Sequence, residues 1–391
     1  LGHSGGDEGV GEDVEVTAIS TRELGEFVQI RTGKLDANAS SKDGAYPFFT
    51  CAKEPLRIST FSYDCDCVLV AGNGDLNVKH YKGKFDAYQR TYIVEPLNSS
   101  VLNSRFLFHF LDKYVEKLRH LSIGGVIKYI KIGNLTEAPL PVLPIDEQRR
   151  IAAILDQAET LRTQRRQALA HLDTLTQSLF LDMFGDPVAN PMGWPSCPLA
   201  ESVEGKYGIK AGPFGSSLKK EDYVTSGFRV YGQEQVIAGR FDIGDYYIDE
   251  RKFHQLKSCA IQEGDLLVSL VGSFGKVLIV PANVEPGIIN PRLLKITLDP
   301  MKLTPVFVAQ LLGSSQVQRK LASLSHGGTM GILNAGLLKE LDVITPPLPL
   351  QQTFATRIQA IEALKATHRA ALAQLDALFA SLQQRAFAGE L

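Results

Sequence analysis

HLSIGGVIKYIKIGNLTEAPLPVLPIDEQ at residues 120–148 and SLSHGGTMGILNAGLLKELDVITPPLPLQQ at residues 323–352 decide how this chain is read. With a constant shift of 203 positions, Gly124-Gly125 falls on Gly327-Gly328, Gly133 on Gly336, Pro144 on Pro347 and Gln148 on Gln351. The same shift carries Leu172-Asp173 onto Leu375-Asp376. A register kept over about eighty positions is the mark of an internal repeat.

Each copy runs on into a stretch free of glycine and proline, IDEQRRIAAILDQAETLRTQRRQALAHLDTLTQSLFLDMF and LQQTFATRIQAIEALKATHRAALAQLDALFASLQQRAF. Ala, Leu, Gln and Arg favour helix, and proline stands just before each stretch, where a helix tolerates it. Two helices of about 38 residues, roughly 57 Å each, are predicted. Apolar residues recur in heptads at Ile151, Ile154, Ala158, Leu161, Ala168, Leu172, Leu175 and Leu179, and again at Phe354, Ile361, Leu364, Ala371, Leu375, Leu378 and Leu382. Sustained 3,4 spacing predicts a coiled-coil seam between the two helices. A polar residue interrupts it at matching positions, Arg165 and His368, and such an interruption fixes register.

Upstream of each helix lies a mixed segment with strand signals. These are YPFFTC, CDCVLVAGNGD and QRTYIVE in the first copy, and FRVYGQEQV, DYYIDE, GDLLVSLVGSFGKVLIV and RLLKITL in the second. A shorter amphipathic helix follows in each, SRFLFHFLDKYVEKLRHL and PVFVAQLLGSSQVQRKLASL. The turn-rich GDPVANPMGWP links the halves. The expected class is α+β: a repeated mixed domain at 21–143 and 186–347, and long helices at 144–185 and 348–389. Residues 1–20 form an acidic, Gly-rich segment expected to be a processed or engineered end.

Composition is that of an ordinary globular protein, 44% apolar and 21% charged. No apolar run is long enough for a membrane helix, so a cytoplasmic protein with no membrane partner is expected. Cys51, Cys65, Cys67, Cys197 and Cys259 are few, odd in number and scattered, which fits reduced thiols. Cys65, Cys67, Cys51 and His80 lack zinc-finger spacing, so no metal is expected. Net charge is −2, but five acids and no base lie in the first twenty residues, leaving 41 bases against 38 acids elsewhere. That balance permits a local basic surface.

Catalytic motifs are missing. The Asn-Pro pairs Asn190-Pro191 and Asn290-Pro291 are followed by Met and Arg, not by the Pro-aromatic pair of an amino-methyltransferase loop, and no phosphate-binding Gly-x-x-x-x-Gly-Lys-Ser/Thr occurs. Glu250-Arg251-Lys252 is the kind of acidic-x-Lys fragment found in metal nucleases, but such triplets are common.

The repeated Pro-Pro-Leu-x-x-Gln-type entry into a long Leu-rich helix, together with GDLLVSLVGSFGK and Trp194 at the head of the second domain, resembles the specificity subunits of type I restriction-modification systems over residues 21 to 389. The resemblance implies a non-catalytic subunit with two target-recognition domains, each reading half of an interrupted site on double-stranded DNA. It further implies that the two helices are antiparallel, set the spacing and dock two methyltransferase subunits, which in turn recruit restriction subunits. S-adenosylmethionine, ATP and Mg would belong to those partners, and no cofactor to this chain. Two alternatives stay open: a coiled-coil scaffold with protein-binding ends, and a specificity subunit of a related system with a fused methyltransferase-nuclease partner. The first domain departs from the pattern, LVAGNG (69–74) being shorter than LVSLVGSFG (267–275).

Half-sites on one face of B-DNA lie about one turn apart, roughly 10 bp centre to centre, which leaves a gap of about 5 to 8 bp. Base edges call for Arg, Lys, Asn and Gln, and phosphates for Lys, Ser, Thr and backbone amides. The candidates in the first domain are Asn73, Asn77, Lys79, Lys82, Lys84, Gln89, Arg90, Lys128 and Lys131. In the second they are Arg229, Gln233, Gln235, Ser273, Lys276, Asn290, Arg292, His326, Gly327, Gly328 and Thr329. Lys276, Lys128 and the amides of Gly327-Gly328 are the preferred phosphate contacts.

Overall fold

The computed structural model describes residues 20–270, 276–324 and 335–391, and the chain divides into two compact units. Unit 1 comprises the residues up to Arg166 together with Ala370–Leu391, and unit 2 comprises Gln167–Arg369.

Unit 1 runs through β1 (Thr21–Glu23), β2 (Val28–Thr32), β3 (Tyr46–Phe49), β4 (Leu56–Ile58), β5 (Tyr63–Ala71), β6 (Val78–Ala87) and β7 (Thr91–Pro96). Helices α1 (Ser104–Leu121) and α2 (Gly133–Thr136), strand β8 (Pro139–Pro141) and the long helix α3 (Ile145–Phe184) follow. Six strands form one sheet in the order β2-β7-β5-β6-β3-β4, and a bridge from Leu35 to Tyr88 joins the segments that follow β2 and β6, so the sheet closes back on itself. Strand β5 explains its own continuous apolar run. Val68 and Val70 face one core with Phe106, Leu107 and Leu111 of α1, while Cys67 and Leu69 face a second with Phe49 and Phe85. Successive side chains of a strand point to opposite faces, so burial on both sides removes the usual alternation with polar residues. The Asn103 side chain caps α1 by accepting from the amides of Arg105 and Phe106.

Unit 2 contains β9 (Ser196–Pro198), β10 (Ile209–Ala211), β11 (Tyr223–Val224), β12 (Phe228–Tyr231), α4 (Gln233–Ala238), β13 (Tyr247–Ile248), α5 (Glu250–Gln255), β14 (Leu266–Ser269), β15 (Val277–Ile279), β16 (Gly287–Ile289) and β17 (Leu293–Ile296). It ends with α6 (Pro305–Gly313), α7 (Ser315–Leu324), α8 (Ala335–Lys339), β18 (Asp342–Ile344) and the long helix α9 (Leu348–Ala388). The sheet β10-β17-β14-β15 has the same order as β2-β7-β5-β6, and β11-β13-β12-β16 forms a second sheet of its own.

The same joint ties each globular part to its long helix. β1 pairs with β8, and β9 pairs with β18, both antiparallel and both just ahead of the long helix. Buried Gln148 accepts from the Asn103 amide at 2.9 Å and donates to the carbonyls of Val101 and Leu143 at 2.8 and 2.9 Å. Buried Gln351 repeats this, accepting from the Thr304 amide at 2.9 Å and donating to the carbonyls of Lys302 and Pro346 at 3.0 and 2.8 Å. Asn103 and Thr304 are the N-caps of α1 and α6, so each glutamine fastens the start of the shorter helix to that of the long one. Leaving such buried groups without partners costs about 1–3 kcal/mol each.

Within unit 1 the first half of α3 runs antiparallel to the second half of α9. Arg150 reaches the Leu391 carbonyl at 2.5 Å, and the Arg162 Nε donates to Asp376 at 2.6 Å. Unit 2 holds the complementary halves, where the Lys365 ammonium is 2.8 Å from Asp173 and the rings of Phe184 and Phe354 lie 5.2 Å apart. These ion pairs are one contact seen twice, for Lys365 follows Arg162 by 203 positions and Asp376 follows Asp173 by 203. Glu159 beside Arg162 is matched by Glu362 beside Lys365.

Here the structure departs from the heptad expected of the sequence. Ala158, Arg165 and Leu172 lie on the side of α3 that packs inward, but the alternate position falls one residue later: Leu155, Arg162 and Thr176 turn inward, where the spacing had placed Ile154, Leu161 and Leu175. In α9, Phe354, Ile361, His368 and Leu375 keep their places, and Ile358, Lys365 and Phe379 are buried beside them. Leu161, Leu175, Leu364 and Leu378 are 43–52% exposed. Ala168 and Ala371 are half-buried, and Ile151 belongs to the core under α1. A hydrophobicity pattern places leucine at the seam, but an acid supplied by the facing helix lets Lys365 be buried and Arg162 half-buried there instead.

Burial alone would lower the Lys365 pKa, but hydrogen bonds to Asp173 and Glu362 outweigh it and raise the pKa above that of an ordinary lysine. The stabilisation from this lysine is therefore complete below the ordinary lysine pKa and is lost only as pH climbs through the raised value. Removing both acids (Asp173→Ala with Glu362→Ala) should cost about 3–5 kcal/mol in urea denaturation, because it strands a buried ammonium, whereas Lys365→Met should cost far less, since both acids are left facing water.

Candidate nucleic-acid interface

At one end of the sheet in unit 1, the ends of β2 and β5 meet the start of β7. The Gly33 amide donates to the Thr91 carbonyl at 3.0 Å, and the Gly72 amide donates to the Arg90 carbonyl at 2.8 Å. The backbones approach so closely that a Cβ on Gly33 would sit 2.1 Å from the Ala87 oxygen. An open cleft of about 580 Å³ lies here, lined by Lys34, Gln89, Arg90, Tyr92 and Ile130 among others. A hairpin borders it: Ile123 and Tyr129 exchange both backbone hydrogen bonds, at 2.9 and 3.0 Å. Its returning arm is stitched to the end of β5 by bonds from the Ile130 amide to the Gly72 carbonyl (2.9 Å) and from the Gly74 amide to the Lys128 carbonyl (3.0 Å), with Asn73 bridged to Tyr129.

Lys34, Arg90, Lys128 and Lys131 are exposed, and among the described residues none has a side-chain ion pair or hydrogen bond. Four unneutralised cations around one cleft and its hairpin suit a polyanion. Lys34 was not anticipated from the sequence, since no strand-break signal marks it.

Unit 2 repeats the strand-end geometry. The Gly212 amide donates to Leu293 at 3.0 Å as Gly33 does to Thr91, and the Leu270 amide donates to the Arg292 carbonyl at 3.1 Å as Gly72 does to Arg90. Arg90 and Arg292 therefore occupy equivalent posts, each exposed at the entry to the strand next to the central one. Lys276 is also exposed, at the start of the β15 arm. Asn290, half-buried, holds the Arg292 turn by accepting from its amide at 2.9 Å.

Other candidates have internal roles. Arg229 is buried: its Nε donates to Glu285 at 2.5 Å, its Nη1 to the carbonyls of Ile243 and Gly244, and its Nη2 to the Tyr247 hydroxyl at 2.8 Å. Burial lowers its pKa, but the Glu285 contact more than restores it, so the net shift is upward. Gln235 is buried in the first turn of α4, accepting from the Gly232 amide and donating to the Ile243 carbonyl, both at 2.7 Å. Gln233 donates to the Ser269 hydroxyl at 2.7 Å. In unit 1 the Asn77 amide holds the carbonyls of Cys51 and Asp75 at 2.8 Å and accepts from half-buried Lys79, whose pKa burial lowers. Lys82 lies 3.6 Å from Asp66, Lys84 sits over the Phe61 ring, and Gln89 donates to Asp36 at 2.9 Å. Ser273, His326, Gly327, Gly328 and Thr329 lie outside the described residues.

The type I restriction modification DNA specificity domain family matches this chain twice, over residues 18–171 and 215–377. A 159-residue stretch, 41% of the chain, is 42% identical to the specificity subunit of the type I restriction enzyme EcoDI from Escherichia coli, and spans 34% of that relative. The MjaVIII specificity subunit from Methanocaldococcus jannaschii is 20% identical over 383 residues, 91% of this chain and 87% of its own length. The crystal structure of the S subunit of a type I restriction-modification system from M. genitalium has the same fold, with a TM-score of 0.63 at 16% identity over 96% of this chain and 97% of that one. A chain solved in work on assembly of a type I restriction-modification system gives a TM-score of 0.55 at 16% identity, covering 96% of this chain and 99% of that one.

Removing the buried arginine and removing the exposed ones should differ sharply. Arg229→Ala should cost about 2–4 kcal/mol, since it empties a packed site and leaves the carbonyls of Ile243 and Gly244 without their donor. Arg90→Ala and Arg292→Ala should each stay within about 0.5 kcal/mol of the parent in the same denaturant titration.

Proposed function

Because the chain belongs to the family of type I restriction modification DNA specificity domains, we propose that it reads double-stranded DNA for partner subunits that carry out the chemistry. The globular parts, residues 21–143 and 186–347, are the two readers, and each takes one half of a bipartite, gapped site. The observation that carries this is the pair Arg90 and Arg292, exposed at equivalent strand ends within sheets of the same order. A guanidinium held this way reaches the O6 and N7 of guanine in the major groove with two hydrogen bonds, while neighbouring lysines such as Lys128 and Lys276 take phosphates. The residues around the two arginines differ, so the half-sites differ and the site is not a palindrome.

The long helices, residues 144–185 and 348–389, serve as spacer and dock. Both run unbroken through residues of both units, which supports their setting the gap between half-sites. Leu161 and Leu378 are exposed in unit 1, Leu175 and Leu364 in unit 2, and the shift of 203 maps Leu161 onto Leu364 and Leu175 onto Leu378. Apolar residues exposed in duplicate suit two copies of one partner, here the methyltransferase subunits, which bring S-adenosylmethionine. Restriction subunits with ATP and Mg join through that complex. Among the described residues no helix is long and apolar enough to cross a membrane.

Arg90→Ala should relax base preference in one half-site and Arg292→Ala in the other, each by about 1–3 kcal/mol of discrimination, in a binding selection from randomised duplexes. Lys128→Ala should weaken all sequences alike and reduce the salt slope by about 1. Loss of preference in both halves from either arginine change would contradict a one-reader, one-half division. For the partners, Leu161→Asp with Leu378→Asp should reduce the copies bound from two to one by native mass spectrometry.

A further inference from the structure

The hairpin beside the unit 1 cleft has an apex that the reading of base edges and phosphates leaves unused. Val126 is 104% and Ile127 63% exposed, two consecutive β-branched apolar side chains left open to solvent among the described residues. The apex is not slack: the reciprocal hydrogen bonds of Ile123 and Tyr129 close it, and Gly124 turns it at φ +117°, where a Cβ would meet the Ile127 oxygen at 2.6 Å. Its base is fixed by the bonds to Gly72 and Gly74, by burial of Ile130, and by the Tyr92 hydroxyl donating to the Ile130 carbonyl at 3.1 Å. β-Branched side chains have few rotamers, so such an apex is stiff down to its tips.

Exposed aliphatic residues on a rigid projection need an apolar acceptor, and the unpaired charges of Lys128 and Lys131 on the same hairpin, with Arg90 across the cleft, specify one surrounded by phosphates. The stacked interior of a duplex satisfies both requirements. We infer that Val126 and Ile127 form a wedge that enters between adjacent base pairs of the first half-site, partly unstacking them, while Lys128 and Lys131 hold the flanking phosphates. Proteins that bend DNA use apolar wedges in this way, and the energy of deforming a step depends on its sequence. The wedge therefore adds a preference for a flexible step at a position no polar side chain reads. It rests on the DNA-reading role proposed above and adds to it a mode of contact.

The test uses the full chain with its modification partner and duplexes bearing the site mapped from the host's methylation pattern, with 2-aminopurine placed at each position of the first half-site in turn. The wedge predicts a severalfold rise in emission at one step, and about tenfold weaker binding by V126A/I127A, with the rise absent even at saturation. The apex touches little of the fold, so this variant should melt with the parent. Lys128→Ala should keep the rise at saturation while the salt slope falls by about 1. Binding by the parent with unchanged emission at every position overturns the wedge and leaves the DNA-reading role standing. So does a V126A/I127A variant that unstacks normally, or one that loses only the protein partner. A parent complex that selects no duplex overturns the reading role itself.

Discussion

A cation turned inward on each long helix, Lys365 buried and Arg162 half-buried, is answered by an acid from the other helix, and on this constraint the rest depends. Arg162 with Asp376 and Lys365 with Asp173 are the same contact in two copies. A charge inside a seam adds little net stability, but it works against a shift of register, because a slip would leave the cation without its acid. Slipping α3 against α9 by one turn would break both pairs together. Within each unit the pairing thus holds one half of α3 against one half of α9.

Each globular part is fastened to its long helix by a short, repeated joint. Gln148 and Gln351 saturate the same set of backbone groups at the starts of α1 and α6, and the strand pairs β1 with β8 and β9 with β18 fix where each globular part begins and ends. The four-strand order common to both units carries Arg90 and Arg292 at its end. Divergence is confined to what surrounds that frame. Unit 1 extends its sheet through β3 and β4, while unit 2 builds a separate sheet whose core holds Val230, Tyr231 and Ile288. A constant frame with variable margins suits a protein whose two readers must meet one duplex yet select different bases.

Much of this was legible in the sequence because a repeat supplies its own control. The shift of 203, the two long helices and the shorter helix before the first follow from glycine, proline and leucine spacing alone, whereas the stretch expected as one shorter helix before the second is broken at Ser314 into α6 and α7. The repeated glutamines and the repeated Leu-Asp pairs were visible as markers, but their work was not, since one column of letters does not say that Asp173 and Asp376 answer Lys365 and Arg162. For the same reason the heptad pattern assigned Leu161 and Leu364 to a seam that Arg162 and Lys365 occupy. Choosing base-contacting residues by type selected Arg229 and Gln235 along with Arg90 and Arg292. Only the partners, Glu285 for the arginine and the Ile243 carbonyl for the glutamine, separate a buried residue of either type from an exposed one. Val126 and Ile127 are not legible as contacts in the sequence, because the residue types that bond base edges and phosphates are polar.

The duplicated reader is tested most directly by mapping methylated bases in the genome of a host that carries this chain with its modification partner. Two specified blocks of unlike sequence, separated by about 5 to 8 unspecified base pairs, are the expected motif. One uninterrupted block, or a perfect palindrome, would contradict two unequal readers joined by a paired-helix spacer.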